Sequence, residues 1–276
     1  MTTVCLSFDF DGMAIWVSTF RQVTPTPLSR GEYGARVGVP RILDLLGSYA
    51  VPATFFVPAH TAASFPEAVA AIQRAGHEIA CHGYVHESPV GLEPDQEALL
   101  LDRSITVLTG ATGTRPLGYR SPAWDLSPQT LGLLEARGLL YDSSLMADDF
   151  RPYQPRRLDQ VSEDGLVRGQ QTTLVEFPVA WELDDYPYFH FSSKPINQGL
   201  RSTDEVLRLW QAEFDYCHAE VPEGTFTLTM HPEIIGRGPR IRMLGQLLEH
   251  IGRASGVQFS TMSVQAHALT AKIAAA

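Results

Sequence analysis

What most constrains the fold of this chain is an alternation. Short apolar runs occur at Val4–Phe8, Ala53–Val57, Glu78–Cys81, Pro116–Tyr119, Leu139–Tyr141, Leu174–Val179, Thr225–Met230 and Val257–Ser260. Between most of them lie amphipathic stretches of helical period: Arg41–Tyr49, Pro66–Ala75, Asp95–Leu108, Pro128–Arg137, Asp204–His218 and Met243–Ile251. A parallel strand buried on both faces reads as a short continuous apolar run, and its crossover needs a dozen or more residues. About eight such units predict an α/β fold, a closed (β/α) barrel, with an open doubly wound sheet as the alternative. No Gly-x-Gly-x-x-Gly follows the first run, so the usual dinucleotide loop is missing. Residues 1–276 are expected to form a single domain.

Three connections are longer than the usual two to six residues: Gly12–Gly38, Ser143–Thr173 and Trp181–Ser202. The last is aromatic and acidic, with Trp181, Asp184, Asp185, Tyr186, Tyr188, Phe189 and His190. Long loops at one end of a barrel commonly build a substrate site or a subunit contact.

Composition narrows the partners. The net charge of -10 disfavours a phosphate backbone, so no nucleic acid is expected. No window approaches the roughly 18–20 apolar residues of a membrane span, and the N-terminus shows no secretory pattern. Cys5, Cys81 and Cys217 are an odd count without paired spacing, which suits buried thiols in a reducing, cytoplasmic compartment.

The unusual polar residues sit just after the apolar runs. Asp9 and Asp11 follow the first, and His82 and His86 follow Cys81. Arg120 follows Tyr119, Asp142 follows Tyr141, and His231 follows Met230. The strand C-termini of a parallel barrel open on one face, so five strand ends would deliver these groups to one rim. His82 and His86, four apart, would share one face of a helical turn and could ligate a divalent ion with a nearby carboxylate. Solvated or capping histidines are the plainer alternative. If Asp11 holds the metal, Asp9 stays free as general base, or else caps a turn or sits in an ion pair. Arg120 would hold Asp9 ionised, and His231 suits a general acid.

These residues resemble the polysaccharide deacetylase family, carbohydrate esterase family four. Ser7-Phe8-Asp9-Phe10-Asp11-Gly12 is similar to its first motif, His82-Gly83-Tyr84-Val85-His86 to its second, and Arg120-Ser121-Pro122 to its third. Asp142-Ser143-Ser144 and Leu228-Thr229-Met230-His231 are similar to the fourth and fifth, all in family order. The resemblance implies a distorted (β/α) TIM-like barrel, with Asp9 as base oriented by Arg120. Asp11, His82 and His86 would be ligands of Zn2+ or another divalent ion such as Co2+, Mn2+ or Ni2+.

Some features depart from typical members. Phe10 separates two aspartates that are usually adjacent, Trp124 stands where a small residue is usual, and Pro232-Glu233-Ile234-Ile235-Gly236-Arg237 follows His231. These look more like an intracellular branch that includes a peptidoglycan deacetylase, allantoinases and cyclic imide hydrolases, typically homotetrameric. Metal-free allantoinases there lack the metal-binding acids, whereas Asp11, His82 and His86 are all present here.

The resulting expectation is a metal-dependent hydrolase of non-peptide carbon–nitrogen bonds, acting on a small cyclic imide or acyl amide. An N-acetyl sugar or peptidoglycan deacetylase is the alternative, and a catalytically inactive sugar-binding barrel comes third. Trp16, Tyr84, Trp124 and Asp142 are the candidate substrate-binding residues.

Overall fold

In the computed structural model, which describes residues 1–192 and 199–275, all eight apolar runs contribute strands to one parallel sheet. They are β1 (Thr2–Asp9), β2 (Thr54–Val57), β3 (Glu78–Cys81), β4 (Gly118–Tyr119), β5 (Tyr141–Asp142), β6 (Val175–Glu176), β7 (Thr225–Met230) and β8 (Val257–Phe259). The order is β6-β5-β4-β3-β2-β1-β7. β7 pairs with β1 from Thr3 to Phe8. Along the other edge of β1, β8 takes Thr2–Val4 and β2 takes Ser7–Asp9.

β1 is buried along its whole length, as a central parallel strand must be. Phe8 stacks on Phe55 of β2 with ring centroids 4.8 Å apart. β4 and β5 approach so closely that a Cβ on Gly118 would fall 1.9 Å from the Tyr141 ring, so only glycine fits there. The amphipathic stretches form the covering helices, among them Val39–Tyr49, Pro66–Arg74, Pro94–Thr112, Thr203–Glu220 and Gly238–Gly252. None of the described helices is long and apolar enough to cross a membrane.

The sheet curls into a half-barrel and does not close as a regular barrel. Between β6 and β7 the link among the described residues is a parallel bridge, Asp184 to Thr229, with Asp185 N–H donating to the Thr229 carbonyl at 3.2 Å. Beyond β6 the chain meets Pro178, which has no N–H for a ladder, and then turns through a 3-10 segment at Trp181–Leu183.

A second difference lies between His82 and His86, which do not form a helical turn. Gly83 (φ 72) and His86 (φ 62) both sit in the left-handed region, so the segment is a loop. The long connections carry structure of their own. Gly12–Gly38 holds helices Ala14–Val17 and Pro25–Tyr33, and Ser143–Thr173 holds two small antiparallel pairs. Residues 193–198 of the Trp181–Ser202 connection lie outside the described residues.

Candidate active site

The strand ends bring Asp9, Asp11, His82, His86, Arg120 and His231 together, all buried. His82 Nε2 lies 3.4 Å and His86 Nε2 3.5 Å from Asp11 Oδ1. The outer nitrogen of each imidazole is already engaged. His82 Nδ1 contacts the Arg120 carbonyl at 2.8 Å, which can only accept, so Nδ1 carries the proton. Thr19 Oγ1 donates to the His86 carbonyl and lies 2.7 Å from His86 Nδ1, so it accepts the Nδ1 proton. When the rings are neutral, both Nε2 lone pairs therefore point at Asp11, in the manner of ligands fixed by an outer hydrogen bond.

Burial would raise the Asp11 pKa, but His86, His82 and His231 together pull it down to about 2. Burial pushes His86 down to about 4, which keeps its imidazole neutral. Burial also opposes charge on His82, but the Asp9 and Asp11 carboxylates outweigh it and raise that pKa.

Both Asp11 oxygens are buried without a hydrogen-bond partner among the described residues. An ionised carboxylate facing two imidazole lone pairs is costly unless a cation lies among them. Tetrahedral ligands roughly 2.0–2.1 Å from an ion stand about 3.3–3.4 Å apart, close to the spacing found here. The donor set fits a divalent cation.

Arg120 has no exposed surface and every arm is used. Nη1 donates to Asp9 Oδ1 at 2.7 Å and to Ser7 Oγ at 2.9 Å. Nε and Nη2 donate to the carbonyl and hydroxyl oxygens of Ser143 at 3.0 and 2.8 Å. The guanidinium also lies 4.1 Å above the Phe56 ring. Asp9 is thus held by one oxygen while Oδ2 stands 3.8 Å from His82 Nε2.

His231 Nδ1 is 2.7 Å from Asp185 Oδ1, and its backbone N–H donates to Asp185 Oδ2 at 3.1 Å. Burial lowers the His231 pKa, but Asp184 and then Asp185 more than offset this and lift it well above the ordinary range. The ring is held as an imidazolium with Nε2 aimed inward, 3.8 Å from Asp11 Oδ2.

A cavity of about 250 Å³ opens over this cluster, walled by Ile15, Phe20, Tyr186, Trp124 and Trp181. Larger clefts lie elsewhere, one of about 500 Å³ around His77, Glu78 and Arg115. Glu78 there is spoken for, accepting from Thr54, Tyr141 and the Ser263 N–H.

Of the four candidate substrate-binding residues, only Trp124 lines the catalytic cavity. Trp16 is buried behind it, stacked near Phe20 and His190 with the Arg30 guanidinium 4.6 Å above its ring. Tyr84 turns outward, where its hydroxyl accepts from Arg103 Nη2 at 2.7 Å. Asp142 is buried beneath the site, accepting from Ser144 Oγ beside Glu176. Burial raises its pKa to about 6.

Asp184 and Asp185 are the partners that sequence reasoning missed, visible there only as an acidic pair in an aromatic loop. Glu233 was missed too. It is buried, and burial and then Asp11 push its pKa to about 8.

Comparisons with known proteins identify the family. A polysaccharide deacetylase family model matches residues 31–141, which include His82, His86 and Arg120. The peptidoglycan deacetylase of Helicobacter pylori is 36% identical over 94% of this chain and 93% of its own. A Mycobacterium smegmatis crystal structure, provisionally assigned as a polysaccharide deacetylase, superposes with a TM-score of 0.85. It is 36% identical, covering 99% of this chain and 91% of that one. A solved allantoinase, 24% identical, shares the fold with a TM-score of 0.80 over 98% of this chain and 90% of its own. Fold and relatives together define a hydrolase built on a curled parallel half-barrel. The chain belongs to the polysaccharide deacetylase family.

Proposed function

We propose that the protein is a metal-dependent hydrolase of non-peptide carbon–nitrogen bonds whose substrate is a small cyclic imide or acyl amide. The observation that carries the choice of substrate is the cavity. At about 250 Å³ it lies below the roughly 300–1,000 Å³ of most small-ligand clefts. Trp124 and Trp181, stacked with centroids 4.4 Å apart, line its wall. An extended polymer needs an open groove instead.

Asp11, His82 and His86 would hold the divalent ion, zinc or a similar metal such as cobalt, manganese or nickel. When bound, it would supply Lewis acidity, polarising the substrate carbonyl and acidifying water. Asp9, oriented by Arg120, accepts the proton of the attacking water. The imidazolium of His231, aligned by Asp185, delivers its Nε2 proton to the departing nitrogen. Trp124 and Trp181 present apolar faces that limit water at the reacting carbonyl.

A second reading is favoured by one observation, the 36% identity to the Helicobacter pylori peptidoglycan deacetylase. On that reading the same groups release acetate from an N-acetyl sugar. By resemblance to the intracellular branch, we also take the enzyme to be cytoplasmic and homo-oligomeric, a tetramer. Sedimentation of the purified chain tests the latter.

The deciding experiment offers succinimide, a dihydropyrimidine and an N-acetylglucosamine oligomer to zinc-loaded and to chelated protein. Metal-dependent ring opening is the expected result. Acetate release from the oligomer without ring opening returns the enzyme to sugar deacetylation.

A further inference from the structure

Trp181 stands between two cavities. It walls the catalytic cavity with Trp124, and it also lines a surface groove of about 540 Å³ with Met146, Asp148, Asp149 and Arg151. Its partner in the stack is buried, whereas Trp181 is half exposed. Trp124 is 7% exposed and Trp181 46%.

The backbone under Trp124 is held in an unusual conformation. Ala123 (φ 55, ψ 18) and Trp124 (φ 55) both occupy the left-handed region, and Trp124 N–H donates to the Ser121 carbonyl at 3.0 Å. Consecutive non-glycine residues in that region persist only where their surroundings impose them, and such strain gathers at ligand sites. The turn that carries Trp181 is pinned from behind. The Glu182 carbonyl accepts from Trp210 Nε1 at 3.0 Å and from the Tyr188 hydroxyl at 3.2 Å. Trp181 is thus common to the cavity that holds Asp9, Asp11 and His231 and to an open trough lined by both charged and apolar residues.

We propose that Trp181 is a specificity-determining residue, a length filter. Stacked on Trp124, its indole separates the catalytic cavity from the groove, and so excludes substrates that extend beyond the scissile amide. This inference rests on the small-substrate function above and deepens it. Cutting the indole back to a methyl group joins cavity and groove into one trough. The groove mixes the carboxylates of Asp148, Asp149 and Glu182 and the Arg151 guanidinium with apolar Met146 and Val179, which suits the hydroxyl groups and the apolar ring faces of a sugar chain. The class of substrate admitted is therefore an N-acetylated sugar oligomer, its reacting unit in the cavity and the next units along the groove.

The test compares wild type with Trp181→Ala and Trp181→Leu, all zinc-loaded. It reads kcat/KM for an N-acetylated monosaccharide and for its tetramer, and calorimetric binding of both to chelated protein. In Trp181→Ala the tetramer-to-monomer ratio should rise about 10- to 100-fold, the span that pocket size alone can discriminate. Trp181→Leu keeps an apolar contact with Trp124 and should give an intermediate ratio; it also carries the test if the alanine chain does not fold. An equal fall for both substrates, or an unchanged binding ratio, would reduce Trp181 to a structural role and overturn the inference. The wild-type preference bears on the function itself. If unaltered enzyme already prefers the tetramer, the small-substrate function fails, whatever the variants do.

Discussion

Asp9→Asn separates the two aspartates more sharply than any other change. Asparagine keeps the shape and leaves an oxygen for Arg120 Nη1, which sits 2.7 Å from Asp9 Oδ1. What disappears is the charge opposite a guanidinium with no exposed surface. Breaking a buried ion pair by removing one partner costs about 3–5 kcal/mol. Here the hydrogen bonds to Ser7 and Ser143 and the Phe56 face remain, so the loss should fall at or below the lower end, about 2–3 kcal/mol. At about 2–4 °C per kcal/mol for a chain of this order of size, the Tm should drop by about 4–12 °C.

Activity should suffer far more than stability. Loss of a general base typically removes about 10²–10⁴ in rate. The ligand set is untouched, so bound metal should stay near one equivalent. Scanning calorimetry, metal analysis after dialysis and steady-state rates on the same preparation read all three. If the variant loses its metal, Asp9 is a ligand and the roles of the aspartates are reversed. If it keeps both metal and rate, Asp9 is not the base.

Three further substitutions probe the surroundings. As an acid His231 must be protonated, so activity is present below its pKa and lost above it. Removing a carboxylate lowers that pKa, so Asp185→Asn should move the alkaline limb of the kcat profile to lower pH. An unmoved limb rules out His231 as the acid. Thr19→Val removes the hydroxyl that accepts from His86 Nδ1, and should weaken metal binding about 10- to 100-fold in a chelator competition titration. Unchanged affinity would mean the His86 ring needs no such support, or is not a ligand. Asp142, pushed to about 6 by burial, holds a proton in the folded state that the unfolded chain releases nearer pH 4. Folding stability should therefore fall as pH rises through that window, and Asp142→Asn should flatten the slope in urea midpoints measured across it.

Much of this site was legible because its residues are tied to strands whose burial is written locally. The runs ending at Cys81, Tyr119 and Met230 are read from their own side chains, and the next residue in each case is a site group. What could not be read depends on contacts distant in sequence. Asp185 matters because its segment crosses to Thr229 and fills the gap that β6 leaves, and nothing near residue 185 announces residue 231. Tyr84, a candidate substrate-binding residue in the sequence, lies between two histidines. The left-handed backbone at Gly83 and His86 brings the imidazoles together without a helix, and the Tyr84 side chain is left to Arg103.

The Asp9-Phe10-Asp11 spacing, a departure from the family pattern, has a physical reason. The ladder of β1 runs on to Phe10, whose N–H donates to the Phe56 carbonyl at 2.8 Å. Along such a backbone, residues two apart share a face and the one between them points the other way. Phe10 accordingly enters the core with its ring 6.2 Å from that of Phe65, while both carboxylates face the cavity. An adjacent pair on this extended backbone would send one aspartate into the core, where its charge would have no partner. The intervening phenylalanine is what lets one strand end offer two separately held carboxylates, one gripped by Arg120 and one left bare before two imidazole nitrogens.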